Sequence, residues 1–300
     1  MVAAPAYDTV FDPRTGEAFP VAPGLVRITA PNASPYTFTG TNSFLIGHER
    51  LALVDPGPDD AAHRQALLAA INGRRVEAIL LTHTHRDHSA GARTMATALK
   101  APLWFGGPHR LSRPLLRFER NPLRRSVDWD LVPDRTLLDG ETIPAGDLSL
   151  TVHATPGHCA NHLAFGLGSD LLSGDHVMGW NSTLVAVPDG SMADYLASLD
   201  RVIVLPYRRY VPAHGGPIAD GRGFAQALKV HRQGRNEQVL AAVAGGARSI
   251  GAIVAGIYPQ QSFMVRRAAG MTITAHVEFL AQQGLLQLRR LPWGLRITPR

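Results

Sequence analysis

The chain reads as an α/β protein whose sheets are covered by helices, followed by a smaller helical module, and three observations lead there. Short apolar runs bounded by Gly, Pro and Asn alternate with helical periodicity through residues 21–220. Several of these runs end in loops that carry histidine or aspartate beside glycine or proline. At Gly221 the texture changes to three helical patterns and one hairpin, the element order of a winged-helix module. The expected organisation is one domain over residues 1–220 and a winged-helix domain over 221–300.

Residues 21–30 and 36–46 are the first expected strands, and 51–54 the third, which ends at Asp55-Pro56-Gly57. Asp59 is placed to cap a helix through Ala70, with Leu67, Leu68 and Ile71 on its apolar side and Asn72-Gly73 to stop it. A buried strand containing Val76, Ala78, Ile79, Leu80 and Leu81 leads into His83-Thr84-His85-Arg86-Asp87-His88, and a helix follows over 90–99. After a short strand at 102–105 come Arg110, Arg113, Arg117, Arg120, Arg124 and Arg125, opposed by Glu119. Such a run is more often a solvated helical face; its functional reading is a basic cover over a substrate groove, with Arg113 and Arg117 as substrate-binding candidates. Residues 148–154, 163–167 and 170–173 are consecutive strands, Ser191 caps a helix over 192–205, and Tyr210-Val211 leads to Pro212-Ala213-His214-Gly215-Gly216. Beyond Gly221 helices are expected over 224–243, from Ser249 to Pro259, and through Val265, Ala269, Ile273, Val277 and Leu280. A hairpin around Pro292-Trp293-Gly294 closes the chain.

Composition narrows the function classes. With 45% hydrophobic residues the 300-residue chain can fill packed cores, and no apolar run approaches the ~20 residues of a membrane span. The acidic first twenty residues do not resemble a secretion signal and Cys159 stands alone, so a reducing, cytoplasmic setting is expected. The net charge of +6 is unevenly placed: residues 222–300 hold eleven Lys and Arg against Glu237 and Glu278, whereas the preceding part is slightly acidic. A homo-oligomer is compatible with the sequence, which does not fix the oligomeric state.

The 83–88 loop carries the chemistry. Residues i and i+2 of an extended chain point the same way, so His83 and His85 can present imidazoles to one cation while Asp87 and His88 turn toward a second. His158 follows Thr155-Pro156-Gly157, Asp175 follows Ser173-Gly174, and His214 and Asp55 also sit at strand ends beside glycine or proline. Singly, each would more often be an ordinary structural residue. Together with the histidine loop they make a ligand set.

These motifs, in this order, resemble those of the metallo-β-lactamase superfamily over roughly residues 21–220. The C-terminal module and His231-Arg232-Gln233-Gly234-Arg235-Asn236-Glu237 extend the resemblance to the β-lactamase-like protein 2 branch. The resemblance implies an αββα sandwich with two divalent metals, zinc best matched and manganese or iron as alternatives. His83, His85 and His158 would hold the first, Asp87, His88 and His214 the second, and Asp175 would bridge them. Asp55 would orient a ligand from behind. Asp175 stands where many true zinc β-lactamases have cysteine, which turns the resemblance toward the thioesterase and phosphodiesterase branches.

The implied chemistry is hydrolysis by a hydroxide held between two metals, with Asp87, and secondarily His162, as catalytic candidates. Asn181 and Thr183 are candidates for the rim. For the substrate two classes stay open: single-stranded RNA, favoured by the branch and the basic C-terminal part, and a small acyl thioester of the glyoxalase II type. A nucleic-acid-binding regulator using the winged helix is the alternative outside enzymology.

Overall fold

The computed structural model describes residues 5–300. A first sheet contains β1 (Phe19–Ala22), β2 (Leu25–Thr29), β3 (Asn42–Gly47), β4 (Arg50–Val54), β5 (Arg75–Leu80), β6 (Leu103–Phe105) and β7 (Arg135–Thr136) in sequence order. It is antiparallel through β4 and parallel from β4 to β7. The second sheet contains β8 (Thr142–Ala145), β9 (Leu148–Ala154), β10 (Leu163–Leu167), β11 (Asp170–Gly174) and β12 (Arg209–Pro212), antiparallel except for the last pair. Alternation along the strands sets the layers. Phe44, Ile46, Ala52 and Val54 point into a core shared with Leu150, Val152, Phe165 and Leu172 of the other sheet. Leu45, Leu51 and Leu53 face the opposite way, onto Leu67 and Ile71 of α1 (Ala61–Ile71) and Met95 of α3 (Ala92–Leu99). Ala164 and Leu171 of the second sheet meet Tyr195, Leu199 and Val202 of α4 (Met192–Val204). The result is the expected αββα arrangement.

Two expectations at the N-terminal end need correction. Asp60, not Asp59, caps α1 by accepting from the His63 amide at 2.8 Å, while Asp59 pairs with Arg64. The strand expected over 36–46 begins only at Asn42. Residues before it form a loop tied by Asn32, whose side chain accepts from the Thr41 amide and donates to the Thr41 hydroxyl. Gly40 there has φ +128°, and a Cβ would lie 2.1 Å from the Ala30 carbonyl, so a strand residue cannot take its place.

Buried histidines make the sandwich acid-sensitive. The Ser43 hydroxyl donates to the Asp55 carbonyl and so accepts from His63 Nε2. Burial, partly opposed by Asp60, lowers the His63 pKa to about 4. Its neutral form therefore contributes stability that is complete above the unfolded value of 6.5 and is lost as pH falls through about 4. Between pH 7 and pH 4, urea unfolding should show the parent chain losing about 3 kcal/mol more than His63→Gln. Equal losses would contradict this account.

The C-terminal part consists of α5 (Gly221–Ala244), α6 (Ile250–Ile257), α7 (Phe263–Gln282) and the hairpin β13 (Leu286–Leu291) and β14 (Gly294–Pro299). Asp220 caps α5, and Ser249 and Ser262 cap the other two helices through their side-chain oxygens. Packing does not break at residue 221. Ala225 and Leu228 of α5 belong to the core under α4, whereas Val239 and Val243 join Ile253, Ile273, Val277 and Ile297 in a separate one. One helix thus seats the C-terminal elements on the sandwich. No helix among the described residues is long and apolar enough to cross a membrane.

Candidate metal centre

The ligand candidates come from four chain segments that meet at one edge of the sandwich. β5 ends at Leu80, the chain stays extended through His83 and His85, and α2 (Arg86–Ser89) then turns Asp87 and His88 inward. This turn begins four residues before the helix expected over 90–99. His158 lies in the loop after β9, Asp175 directly after β11 and His214 shortly after β12. The side-chain donors of His83, His85 and His158 lie within 4.8 Å of one another, as do those of Asp87, His88 and His214. Asp175 joins them: its Oδ1 is 3.3 Å from His214 Nε2 and 3.6 Å from His88 Nε2, and its Oδ2 is 3.7 Å from His158 Nε2.

The hydrogen bonds behind these imidazoles decide which nitrogen of each is bare. His85 Nε2 donates to Asp189 at 2.8 Å, His158 Nδ1 to the Leu184 carbonyl at 2.7 Å, and His214 Nδ1 to the Gly40 carbonyl at 3.1 Å. His88 Nδ1 donates to Asp55 Oδ2 at 3.0 Å. Thr82 Oγ1 donates to the same carboxylate at 2.7 Å and therefore accepts from His83 Nδ1. In the neutral imidazoles every inner nitrogen is consequently a lone pair. Yet His85 Nδ1 lies 3.1 Å from His83 Nε2 and 2.8 Å from His158 Nε2. Lone pairs so placed repel unless a cation lies among them, and zinc–nitrogen bonds of ~2.0–2.1 Å at tetrahedral angles put donors about 3.3 Å apart. In the second group His88 Nε2, His214 Nε2 and Asp175 Oδ1 are buried without a hydrogen-bond partner among the described residues. The residues present therefore fit divalent metal.

Charge follows the same division except at His85, where burial is outweighed by Asp189 and the value is raised. Burial, with neighbouring imidazoles, holds His83 well below its usual value, and burial lowers His158 to about 4. At His214 burial acts in the same direction but is outweighed by Asp175 and Asp87, which raise it to about 9. Burial opposes ionisation of Asp87 as well, yet His88 and His214 hold its carboxyl well below the usual range.

Asp55 sits behind the centre with a left-handed backbone, φ +49°, and also accepts from the Thr82 amide at 2.7 Å. Asp189 and His109 escaped sequence reasoning. Fully buried Asp189 accepts from His85 and, at 2.7 Å, from His109 Nε2, whose Nδ1 faces Thr84 Oγ1 at 2.9 Å. The only local signal was the turn residues Pro188-Asp189-Gly190 ahead of the α4 cap.

A cleft of about 780 Å³ opens onto Asp87, His158 and Asp175. Tyr36, Trp180 and Asn181 line it on one side, and α5 and α7 contribute Arg232, Arg235 and Met271. Other expected site residues are placed elsewhere. His162 is not positioned to act on substrate: Nε2 accepts from the Asp175 amide at 3.1 Å and Nδ1 donates to Thr155 Oγ1 at 2.8 Å. The Thr183 hydroxyl is turned inward and donates to the Asp175 and His176 carbonyls. Arg113 is held between Glu119 and Glu278 at 2.5–2.8 Å, and Arg290 joins the same pair. Arg117 stacks on Phe118 away from the cleft. The 110–125 segment is neither a helical face nor, at these two arginines, a groove cover. Pro114 and Pro122 interrupt it, leaving one helical turn at Arg124–Ser126.

Known proteins share this architecture. The metallo-β-lactamase family protein TTHA1429 from Thermus thermophilus superposes with a TM-score of 0.77 at 29% identity, covering 94% of this chain and all of that one. A β-lactamase-like protein 2 homologue of Caenorhabditis elegans is 26% identical over 88% of this chain and 86% of its own. An atrochrysone carboxyl ACP thioesterase of Aspergillus fumigatus is 28% identical over 74% of this chain and 66% of its own. Residues 36–214 match the metallo-β-lactamase superfamily as a whole, and on that match the protein belongs to this superfamily of hydrolases.

Proposed function

We propose that the chain binds two divalent metal ions, zinc by preference, and hydrolyses an acyl thioester in the cleft above them. His83, His85 and His158 would hold one ion, Asp87, His88 and His214 the other, with Asp175 between. Metal there supplies Lewis-acid charge and makes water nucleophilic at neutral pH. Asp87, whose side chain keeps 30% of its exposure, faces the cleft as an ionised acceptor that orients the attacking water. Leu123, Met178, Leu184 and Met271 give the acyl group an apolar wall and displace solvent.

The observation that carries the thioester is the apolar side of this half-open cleft, Leu123, Met178, Leu184 and Met271, beside the metal ligands; the ACP thioesterase among the relatives supports the same reading. RNA draws support from the basic C-terminal surplus, of which Arg290 is already neutralised by Glu119 and Glu278. In this reading the C-terminal helices serve as a substrate wall, not as a reader of duplex DNA. Full-length protein stripped of metal and reloaded with zinc, manganese or iron should be assayed on an acyl-pantetheine thioester, a glutathione thioester, single-stranded RNA, a phosphodiester and a β-lactam. Thioester hydrolysis restored by metal and exceeding every other activity is expected. Faster cleavage of RNA than of either thioester would overturn the proposal.

A further inference from the structure

We propose that the cleft wall formed by α5 and α7 contains an oxyanion-binding subsite, built on Arg232 and Arg235, for a carboxylate or phosphate of the substrate. That this anion belongs to a thioester rests on the preceding reading; the subsite itself does not. Arg232 is only 3% exposed and lines the cleft. A guanidinium stays charged at any physiological pH, and burying one without a counter-charge is unfavourable. Arg113 and Arg290 meet Glu119 and Glu278, and Arg209 meets Asp170, while buried Arg27, away from the cleft, is held by the Pro13 carbonyl and the Phe11 and Phe19 rings. Arg232 has no carboxylate within ion-pair distance among the described residues. Its Nη2 donates to the Thr183 carbonyl, its plane lies 5.2 Å from the Tyr195 ring, and its Nε has no partner.

The surroundings add positive charge and donors, not acids. Arg235, one turn further along α5, also lines the cleft; it lies over Tyr258 at 4.7 Å and donates to Gln238, a neutral group. His231 Nδ1 and His276 Nε2 are buried beside them without partners. Burial and then the two arginines hold both imidazoles in the neutral form. Two forked cations without counter-charge, on the wall of a cleft that also reaches Asp87 and Asp175, suit a bidentate oxyanion. A carboxylate on the acyl group and a phosphate on a pantetheine arm offer the same chemistry.

Calorimetric titration of the metal-loaded full chain with glutarate, inorganic phosphate and uncharged glutaramide tests the subsite, using the parent, Arg232→Met and Arg235→Met at verified metal content. The expected result is anion binding by the parent that weakens about ten-fold or more in both variants, with no glutaramide binding. Preference for glutarate assigns the anion to the acyl group, and preference for phosphate to the carrier arm. Arg235→Met decides the matter if Arg232→Met disturbs the Thr183 loop, because Arg235 makes no hydrogen bond to that loop among the described residues. Equal binding by all three proteins, or none by the parent, overturns the proposal. Where glutarate is the preferred anion, the ratio of kcat/KM for glutaryl over butyryl thioester should also fall about ten-fold or more in Arg235→Met. If anions bind as expected but neither thioester is hydrolysed, the thioester reading falls and the subsite stands.

Discussion

Asp175→Ala is expected to remove metal from both positions and hydrolytic activity with it. Its two oxygens approach imidazoles of both groups, so no other side chain substitutes for it, and Asp87 would remain as the sole carboxylate among five histidines. The affinity loss should exceed the ~10–100-fold that removal of an outer partner brings. Atomic emission measures the metal, and thermal unfolding gives a second reading. A ligand at about 100 times its Kd stabilises a folded chain by ~2.7 kcal/mol, a gain that zinc should give the parent but not the variant. Protons supply a third. In the metal-free parent, His214 is protonated up to about pH 9 because Asp175 and Asp87 outweigh burial. The stability this adds is complete below 6.5 and lost as pH rises through about 9. Zinc must displace that proton at pH 7, so the parent should release acid on loading and Asp175→Ala should release less. A variant that keeps full metal and full turnover would remove Asp175 from the centre.

What could be read from the sequence was whatever depends on near neighbours. Alternation along residues 148–174 marks three strands because one face of each meets the other sheet. Ser191 and Ser249 announce helix starts because a cap acts over three residues. The 83–88 loop was legible since an HxHxDH spacing concentrates donors too densely for an ordinary turn. Interactions across the fold were not. Arg113 looked opposed by Glu119 alone because its other carboxylate, Glu278, lies 165 positions further on. His162 stayed a secondary catalytic candidate beside its structural reading because spacing from His158 says nothing about the Asp175 amide that occupies its Nε2. The break at 36–41 was hidden by apolar side chains, although it places the Gly40 carbonyl against His214 and Tyr36 on the cleft.

Asp189, the least legible member of the centre, should give the most selective defect. Its two oxygens accept from His85 Nε2 and His109 Nε2, and the first bond keeps His85 Nδ1 free to face His83 and His158. In Asp189→Asn one oxygen becomes an amide NH₂, which cannot accept. If the remaining oxygen serves His85, the amide must donate to His109 Nε2, and His109 then has to move its proton to Nδ1, against Thr84. If the oxygen serves His109, His85 is driven to the opposite tautomer and its Nδ1 is no longer bare. Either way a buried charge that strengthens both bonds is lost, about 2–4 kcal/mol of metal-free stability at pH 7. Metal affinity at the His83, His85 and His158 group should fall ~10–100-fold. The other group, whose outer partners are Asp55 and the Gly40 carbonyl, should keep its ion. Asp189→Asn is thus expected to bind one metal tightly where Asp175→Ala binds none, and competition with a graded series of chelators separates the two. Parent-like affinity at both positions would show that Asp189 braces the loops without setting the His85 tautomer.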